Sequence, residues 1–439
     1  MNEKSKFIFE KLEENGFKSF IVGGTVRDLL LNKEPKDLDM CTSALPEDVE
    51  RIFEKTIPVG KKFGVIVVVV DDEQIELTTM RSDGHSLDGR RPDSVEFTDD
   101  PEVDSRRRDF TVNGLYMTKD GEILDFHDGR KDLEEKRIRT IGRAADRFEE
   151  DYLRMLRAIR FATKMDFRIS REIFDSIQDN LENIKSISSE RIREELTKIL
   201  VSDNPGRGIS LLKDTGFLEI ILPEIYTLSK VIQVPTWHPE GDALTHTINV
   251  CSKVGNDETL RWAAFLHDLG KHIAYEKGRI INAGDKIYHD TKAHENLGME
   301  KTEEILKERL KFPNDFTENV MWLCKNHMKF KVFMQMSRGK RRKMMQHPMF
   351  DNFVKLGVAD DEVGRDFGET LHWIDSNNVV EEVRPPRIVT GQDLLRLGFK
   401  EGKHLGNTLK EIQDFQLENP GCEFNDVIHI IERNKKQVG

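Results

Sequence analysis

Apolar residues in the first 140 positions come in short, strand-like runs. Residues 19–22 lead into Gly23-Gly24. Residues 65–70 form a continuous valine and isoleucine run that suits a buried strand, and residues 75–79 form a shorter one. Asp71-Asp72 between the last two marks a hairpin, as does Lys119-Asp120-Gly121 between Tyr116-Met117 and Ile123-Leu124. Past about residue 140 the pattern turns helical, with apolar residues at helical spacing through 149–163, 190–200 and 299–310. Residues 1–20 are charged and amphipathic and stop at Asn15-Gly16, which reads as a surface helix rather than a secretory leader. The expected architecture is an α/β head followed by an all-α remainder, without internal repeats or a low-complexity linker. Arg384-Pro385-Pro386 is the clearest late boundary.

A chain of 439 residues exceeds a single core, so two to four domains are expected. It has no apolar stretch of membrane-spanning length. Its four cysteines, Cys41, Cys251, Cys324 and Cys422, are scattered without CxxC spacing, which points to a reducing cytoplasm and away from a zinc finger. The net charge of -12 suits no diffuse RNA-binding surface. Basic residues nevertheless cluster at 106–108, 154–160 and 325–343, so RNA would be bound locally and with a pronounced salt dependence.

Asp37-Leu38-Asp39 begins fourteen residues after Gly23. In an extended segment the two carboxylates share a face about 7 Å apart, where they repel unless a cation lies between them. So placed, they can hold divalent metal against nucleotide phosphates. Residues 21–31 read as strand, glycine turn and helix opening, an arrangement in which backbone and helix N-terminus approach an anion, with Arg27 in the first helical turn. A lone pair of strand-end acids more often just faces water, so the surrounding motifs decide.

Gly23-Gly24-Thr25-Val26-Arg27-Asp28 followed by Asp37-Leu38-Asp39 resembles the head of the polymerase-β-type tRNA nucleotidyltransferases of the bacterial and eukaryotic class, which also holds bacterial poly(A) polymerases. The similarity continues in the family's order through 107–113, 125–133 and 150–154. It implies an α+β multidomain protein: a nucleotidyltransferase head over 1–139, then an all-α neck and body over 140–223 that select the nucleotide. An HD-type helical domain over 224–365 and a helical tail over 366–439 that contacts tRNA would follow. It implies that Asp37 and Asp39 are catalytic and hold Mg2+, and that Gly24, Arg27 and Arg108 hold the triphosphate and sugar. Glu76 is a candidate third carboxylate from a neighbouring strand, and Arg107 could equally pair with Asp109. Gly114 departs from the alanine expected there, a difference of packing rather than chemistry.

Asp151 and Arg154 stand three apart in a helical pattern, which makes their side chains neighbours. One accepts and one donates hydrogen bonds, matching the edge that cytosine and adenine present and that uracil and guanine do not. An ordinary helix ion pair is the commoner meaning of such spacing; the resemblance implies base reading instead. Arg157 and Arg160 continue at steps of three, and the family uses both positions in nucleotide binding. Residues 81–92 resemble the flexible loop of full CCA-adding enzymes, which helps switch the pocket from C to A.

His267-Asp268 follows the apolar run 262–266, with His246 upstream and His294, His327 and Asp360 downstream. The set resembles the HD superfamily of metal-dependent phosphohydrolases; the alternative is a helical scaffold whose histidines are satisfied in the core. Imidazole with carboxylate suits a divalent ion such as Mg, Mn, Ni or Co, and six ligands permit two. Trp237-His238-Pro239-Glu240 and the late segment 388–394, with Gly398 and Gly406, are similar to family members that carry an HD domain. In them the domain is linked to phosphatase and cyclic-phosphodiesterase activity.

The expected function is template-independent addition or repair of the 3′-terminal CCA of tRNA from CTP and ATP, in the cytoplasm, with no membrane partner and the oligomeric state left open. The alternatives are an A-adding-only enzyme, a poly(A) polymerase, to whose signature residues 59–64 are partly similar, and a signalling protein nucleotidylyltransferase joined to an HD domain. The last enters its carboxylates through Gly-Ser and ends in β-rich sensing domains, neither of which this sequence has.

Overall fold

The computed structural model describes residues 3–83, 95–283, 286–377, 383 and 385–436. The chain forms two compact units, Met1–Leu222 and Pro223–Gly439.

The first unit opens with the helix Glu3–Glu14, which stops at Gly16 with φ of 82°. Its strands include β1 (Ser19–Val22), β2 (Asp39–Thr42), β3 (Thr56–Gly60), β4 (Val65–Val70), β5 (Glu73–Thr79), β6 (Arg81–Asp83), β7 (Val95–Phe97), β8 (Leu115–Met117) and β9 (Ile123–Asp125), and a short parallel pair, Arg137–Ile138 with Arg168–Ile169, so the segment expected to be all-α carries a strand. Seven of them make one mixed sheet in the order β3-β4-β5-β2-β1-β8-β9. Only β2 and β5 run parallel in it, and their register sets Asp39 opposite Glu76. Both expected hairpins form. Asp71 and Asp72 turn β4 into β5 with φ of 48° and 62°, the positive pair that a tight two-residue turn demands and aspartate tolerates. Gly121, with φ of 84°, turns β8 into β9. β6 pairs with β7 at the base of residues 84–94, so most of the expected C-to-A loop lies outside the described residues.

Two expectations change here. The acids of Asp37-Leu38-Asp39 do not share a strand: Asp39 opens β2, whereas Asp37 lies in the bend before it. Residues 149–163 are not one helix either. The helix Ala144–Glu150 ends, Asp151 is extended with φ of -161°, and a new helix runs Leu153–Met165. Asp151 spends its carboxylate on the backbone N–H of Leu153, at 3.1 Å, as side chains that compete with the helix ladder do. The helix Ser189–Leu200 forms as the periodicity predicts.

The second unit is mostly helical but not all-α, since Ile280–Ala283 and Lys286–His289 pair as an antiparallel ribbon. Residues 299–310 are helical, with a π-helical stretch over Glu304–Arg309. The tail has its own apolar core of Val389, Leu394, Phe399, Ile412, Val427, Ile430 and Ile431. Its helix Lys403–Glu418 lies against Arg338–Met345, where Arg342 donates to the Leu417 carbonyl at 3.1 Å and Lys343 meets Asp414 at 2.6 Å. Arg384 lies outside the described residues. No described helix is long and apolar enough to cross a membrane.

Candidate functional site

The first unit holds a cavity of about 530 Å³, lined among others by Gly24, Arg27, Asp37, Asp39, Arg108, Asp151, Arg154, Arg157 and Arg160. Residues as far apart in sequence as Gly24 and Arg160 thus meet in one space. The same lining adds Lys36, Arg107, Lys164 and Arg191, so nine cations face Asp28, Asp37, Asp39, Asp109 and Asp151. In a chain of net charge -12, that excess of positive charge is local.

Thr25 ties the carboxylate segment to the glycine helix Gly23–Leu30: its hydroxyl donates to the Asp37 carbonyl at 3.0 Å and accepts from the Asp39 N–H at 2.9 Å. Gly23 starts that helix directly at φ of 62°, with no separate turn before it. A Cβ there would stand 3.2 Å from Arg108 Nη1, and one on Gly24 would stand between Arg27 and Asp39. Both glycines therefore keep room beside the acids. Burial and then the neighbouring Asp37 push the Asp39 carboxyl above its usual range. Burial at its strand and the charges of Asp39 and Asp37 push Glu76 upward too, although its side chain stays open to solvent and outside the cavity lining. Mutually repelling hard oxygen donors fit a divalent cation such as magnesium.

The arginines are held rigidly. Arg27, 3% exposed, donates to Asp28 at 2.8 Å and to Asn113 Oδ1 at 2.6 Å. Arg108 donates to the Tyr116 hydroxyl at 2.9 Å, and that hydroxyl donates to Asp104 at 2.5 Å. Arg107 also pairs with Asp104, at 2.8 Å, not with Asp109. Burial alone would raise Asp104, yet Arg107 and Arg108 hold its carboxyl below the usual range. Asp109 instead takes Arg157 at 2.9 and 2.6 Å, and this guanidinium holds it at about 2 against its burial. Arg160 donates to Glu195 at 2.6 Å and lies 4.1 Å above the Phe161 ring, near which Arg27 and Arg157 also stand at 5.3 and 5.5 Å.

Asp151 and Arg154 both line the cavity but are not paired as a helix i,i+3 couple. Arg154 hydrogen-bonds Glu150 and the carbonyls of Arg147 and Arg107. Asp151 takes Arg191 of the helix Ser189–Leu200. Asp104, Phe161 and Arg191 escaped the sequence reading, because only the fold brings them here. Gly114 is explained by packing: a Cβ there would lie 2.7 Å from Ile141 Cδ1.

In the second unit His246, His267, Asp268, His294, His327 and Asp360 converge, each at most 6% exposed. They come from four helix ends and a short helix, His294–Leu297. His246, His267 and Asp360 form one group of candidate ligands, and Asp268, His294 and His327 another. The Nδ1 atoms of His267, His294 and His327 lie 2.8, 2.9 and 2.6 Å from the carbonyls of Ala264, Thr291 and Cys324, and His246 Nδ1 lies 2.8 Å from Glu240 Oε1. With Nδ1 turned to these oxygens, each Nε2 would serve as the ligand atom once a metal replaced its proton; against its burial, Asp268 and Asp360 push His267 up to about 9. Those Nε2 atoms face one another, His267 to His246 at 3.3 Å and His294 to His327 at 3.0 Å. Burial, His267 and His294 push His327 down to about 3, so its imidazole is neutral. The donors fit divalent metal. Glu240, with Oε1 3.0 Å from His238 Nδ1 and 2.8 Å from His246 Nδ1, is a neighbour of the cluster that the motif only hinted at.

A Poly A polymerase head domain matches residues 19–139, a probable RNA and SrmB-binding site of polymerase A matches 166–228, and an HD domain matches 243–352. The CCA-adding enzyme of Lactobacillus johnsonii is 42% identical over 212 residues, 48% of this chain and 53% of that protein. That of Staphylococcus aureus strain MRSA252 is 42% identical over 217 residues, 49% and 53% respectively. The chain thus spans about half the length of the curated relatives it matches. The crystal structure of the Bacillus stearothermophilus CCA-adding enzyme in complex with CTP aligns with TM-score 0.72 and 26% identity over 100% of this chain and 99% of that one. The Thermotoga maritima CCA-adding enzyme complexed with tRNA shares the fold, with TM-score 0.60 and 19% identity over 100% and 97% of the two chains.

Proposed function

We propose that this chain, whose head, RNA-binding segment and HD domain are those of the tRNA nucleotidyltransferase and poly(A) polymerase family, adds or repairs the 3′-terminal CCA of tRNA without a template. The observation that carries this reading is the single cavity in which Asp37 and Asp39 meet Arg108 and the Asp151–Arg154 segment. In the reaction the tRNA 3′-hydroxyl attacks the α-phosphate of CTP, then of ATP, and pyrophosphate leaves.

Asp37 and Asp39 would hold magnesium. A divalent ion held by them would supply Lewis-acid chemistry, lowering the pKa of the attacking hydroxyl and offsetting charge on the transferring phosphoryl group. Gly24 leaves space for phosphate beside the backbone, while Arg27 and Arg108, fixed by Asp28, Asn113 and Tyr116, offer their guanidinium edges to the triphosphate and sugar. Asp151 accepts from the exocyclic amine of cytosine or adenine, and Arg154 donates to the adjoining ring acceptor. Arg157 and Arg160 extend the cationic wall. Under this reading the parts are the catalytic head 1–139, a nucleotide-selecting neck and body 140–223, an HD domain 224–365 and a tail 366–439 that helps hold tRNA, all working in the cytoplasm.

The test uses tRNA ending before CCA, after C and after CC, with each nucleotide supplied separately. Stepwise CTP, CTP and ATP incorporation that then stops supports the reading. Addition of A alone to the CC end would make it an A-adding enzyme, and unlimited extension with ATP a poly(A) polymerase. The HD cluster adds a second proposal, metal-dependent phosphoester hydrolysis. His246, His267, Asp268, His294, His327 and Asp360 would hold Mg, Mn, Ni or Co there, and the inward Nε2 set supports it.

A further inference from the structure

Three of the guanidinium groups that line the cavity of the first unit gather around one aromatic ring. The Cζ atoms of Arg160, Arg27 and Arg157 lie 4.1, 5.3 and 5.5 Å from the centre of the Phe161 ring. They come from two segments: Arg27 from the helix Gly23–Leu30, Arg157 and Arg160 from the helix Leu153–Met165 that also carries Phe161. Phe161 is 5% exposed and lines the same cavity. Its own ring is held edge-on by Phe110, with 5.6 Å between centres and 74° between planes.

Three like charges in one place repel. Each has its own carboxylate: Asp28 for Arg27, Asp109 for Arg157 and Glu195 for Arg160. Every one of these pairs runs through a single oxygen. Asp28 Oδ1 takes Nε and Nη2 of Arg27, Asp109 Oδ2 takes Nε and Nη2 of Arg157, and Glu195 Oε2 takes Nε of Arg160. The two-oxygen, two-nitrogen fork that fixes a guanidinium plane is thus missing from all three pairs. Asn113 supplies a second acceptor to Arg27. The contact common to the three is the Phe161 ring, whose π-electrons attract a cation placed over it.

Resting on the nucleotidyltransferase reading above, we infer that Phe161 is a positioning residue: its ring sets the planes and separations of Arg27, Arg157 and Arg160, so that the triphosphate meets a cationic wall already arranged. Phe161 acts through the three arginines. A wall ordered before binding spares the nucleotide the cost of ordering it.

The test replaces Phe161 in the full-length protein by phenylalanines carrying one, two and three ring fluorines, and separately by leucine. Each fluorine draws electrons from the ring face and weakens its hold on a cation, while shape is nearly kept and apolar character grows. CTP affinity at equilibrium should fall stepwise along the series, by about threefold or more at three fluorines, and Phe161→Leu should weaken CTP by about tenfold or more. A ring that only filled space would respond to size and apolarity, so fluorination would leave CTP affinity level. The midpoint of thermal unfolding should stay level or rise along the fluorine series, because volume is conserved. CTP affinity that is flat along the series, or that falls only in step with the unfolding midpoint, would overturn the inference. Incorporation of CTP into tRNA lacking CCA is measured on the same samples. Graded CTP binding without incorporation by the wild type defeats the nucleotidyltransferase reading alone. Incorporation with a flat series defeats the role of Phe161 alone, and a wild type that binds no CTP defeats both.

Discussion

Asp151 accepts from both terminal nitrogens of Arg191, at 3.2 and 2.6 Å, across forty residues of sequence. The carboxylate proposed to read the base is therefore aimed by a neighbouring helix as well as by the Leu153 N–H beside it. A planar guanidinium gripping both oxygens fixes the direction of the remaining lone pairs. Arg191→Ala should lower kcat/KM for CTP by about ten- to a hundredfold and raise misincorporation of UTP, because small misplacements near the reacting groups cost about that much. Arg191→Lys should recover little of it. Single-nucleotide incorporation with each of the four triphosphates checks this, and unchanged discrimination would remove Arg191 from the selector.

Asp37→Ala should reduce nucleotide incorporation by about a thousandfold or more, the scale of losing a principal electrostatic group at a transferring centre. Hydrolysis or metal content at the HD cluster should be unaffected. Loss of both would contradict two independent sites.

Asp109 supplies an acid-stability signature. Its folded-state value, about 2, lies below the ordinary 3.8, so its stabilisation is complete above pH 4 and is lost as the pH falls toward 2. The shift corresponds to about 2 kcal/mol. Urea midpoints measured from pH 5 down to pH 2 should fall more steeply in the wild type than in Asp109→Asn. Parallel curves would mean that the Arg157 pair contributes nothing.

Gly114→Ala should destabilise the first unit by about 1–3 kcal/mol, because the new methyl meets Ile141 Cδ1 at 2.7 Å. Adding Ile141→Val should restore most of the lost Tm. A double mutant no more stable than the single one would show that the strain lies elsewhere.

The HD cluster should bind two divalent ions per chain, measured by metal analysis after dialysis. The double variant His294→Ala/His327→Ala should keep at most one, since it strips one three-residue group and spares His246, His267 and Asp360. Two ions retained in that variant would disprove the two-group arrangement.

Local chemistry alone was enough for much of this molecule. The valine run of β4, the aspartate pair that turns it into β5, the glycine pair beside the acids and the spacing of the histidines all announce themselves, because period, turn geometry and ligand type act over a few residues. Long-range pairing was not written in any such window. Helical spacing suggested that Arg154 would answer Asp151, and a single-strand reading put Asp37 and Asp39 on one face. In the fold, Arg191, Thr25 and the break at Asp151 decide otherwise. Asp104 shows the same limit: as one acid among many in the sequence, it becomes the buried anchor of two arginines only when the sheet closes around it. Periodicity is a property of the nearby chain, whereas a buried charge takes whichever partner the packing brings within reach, and that partner is settled by tertiary structure alone.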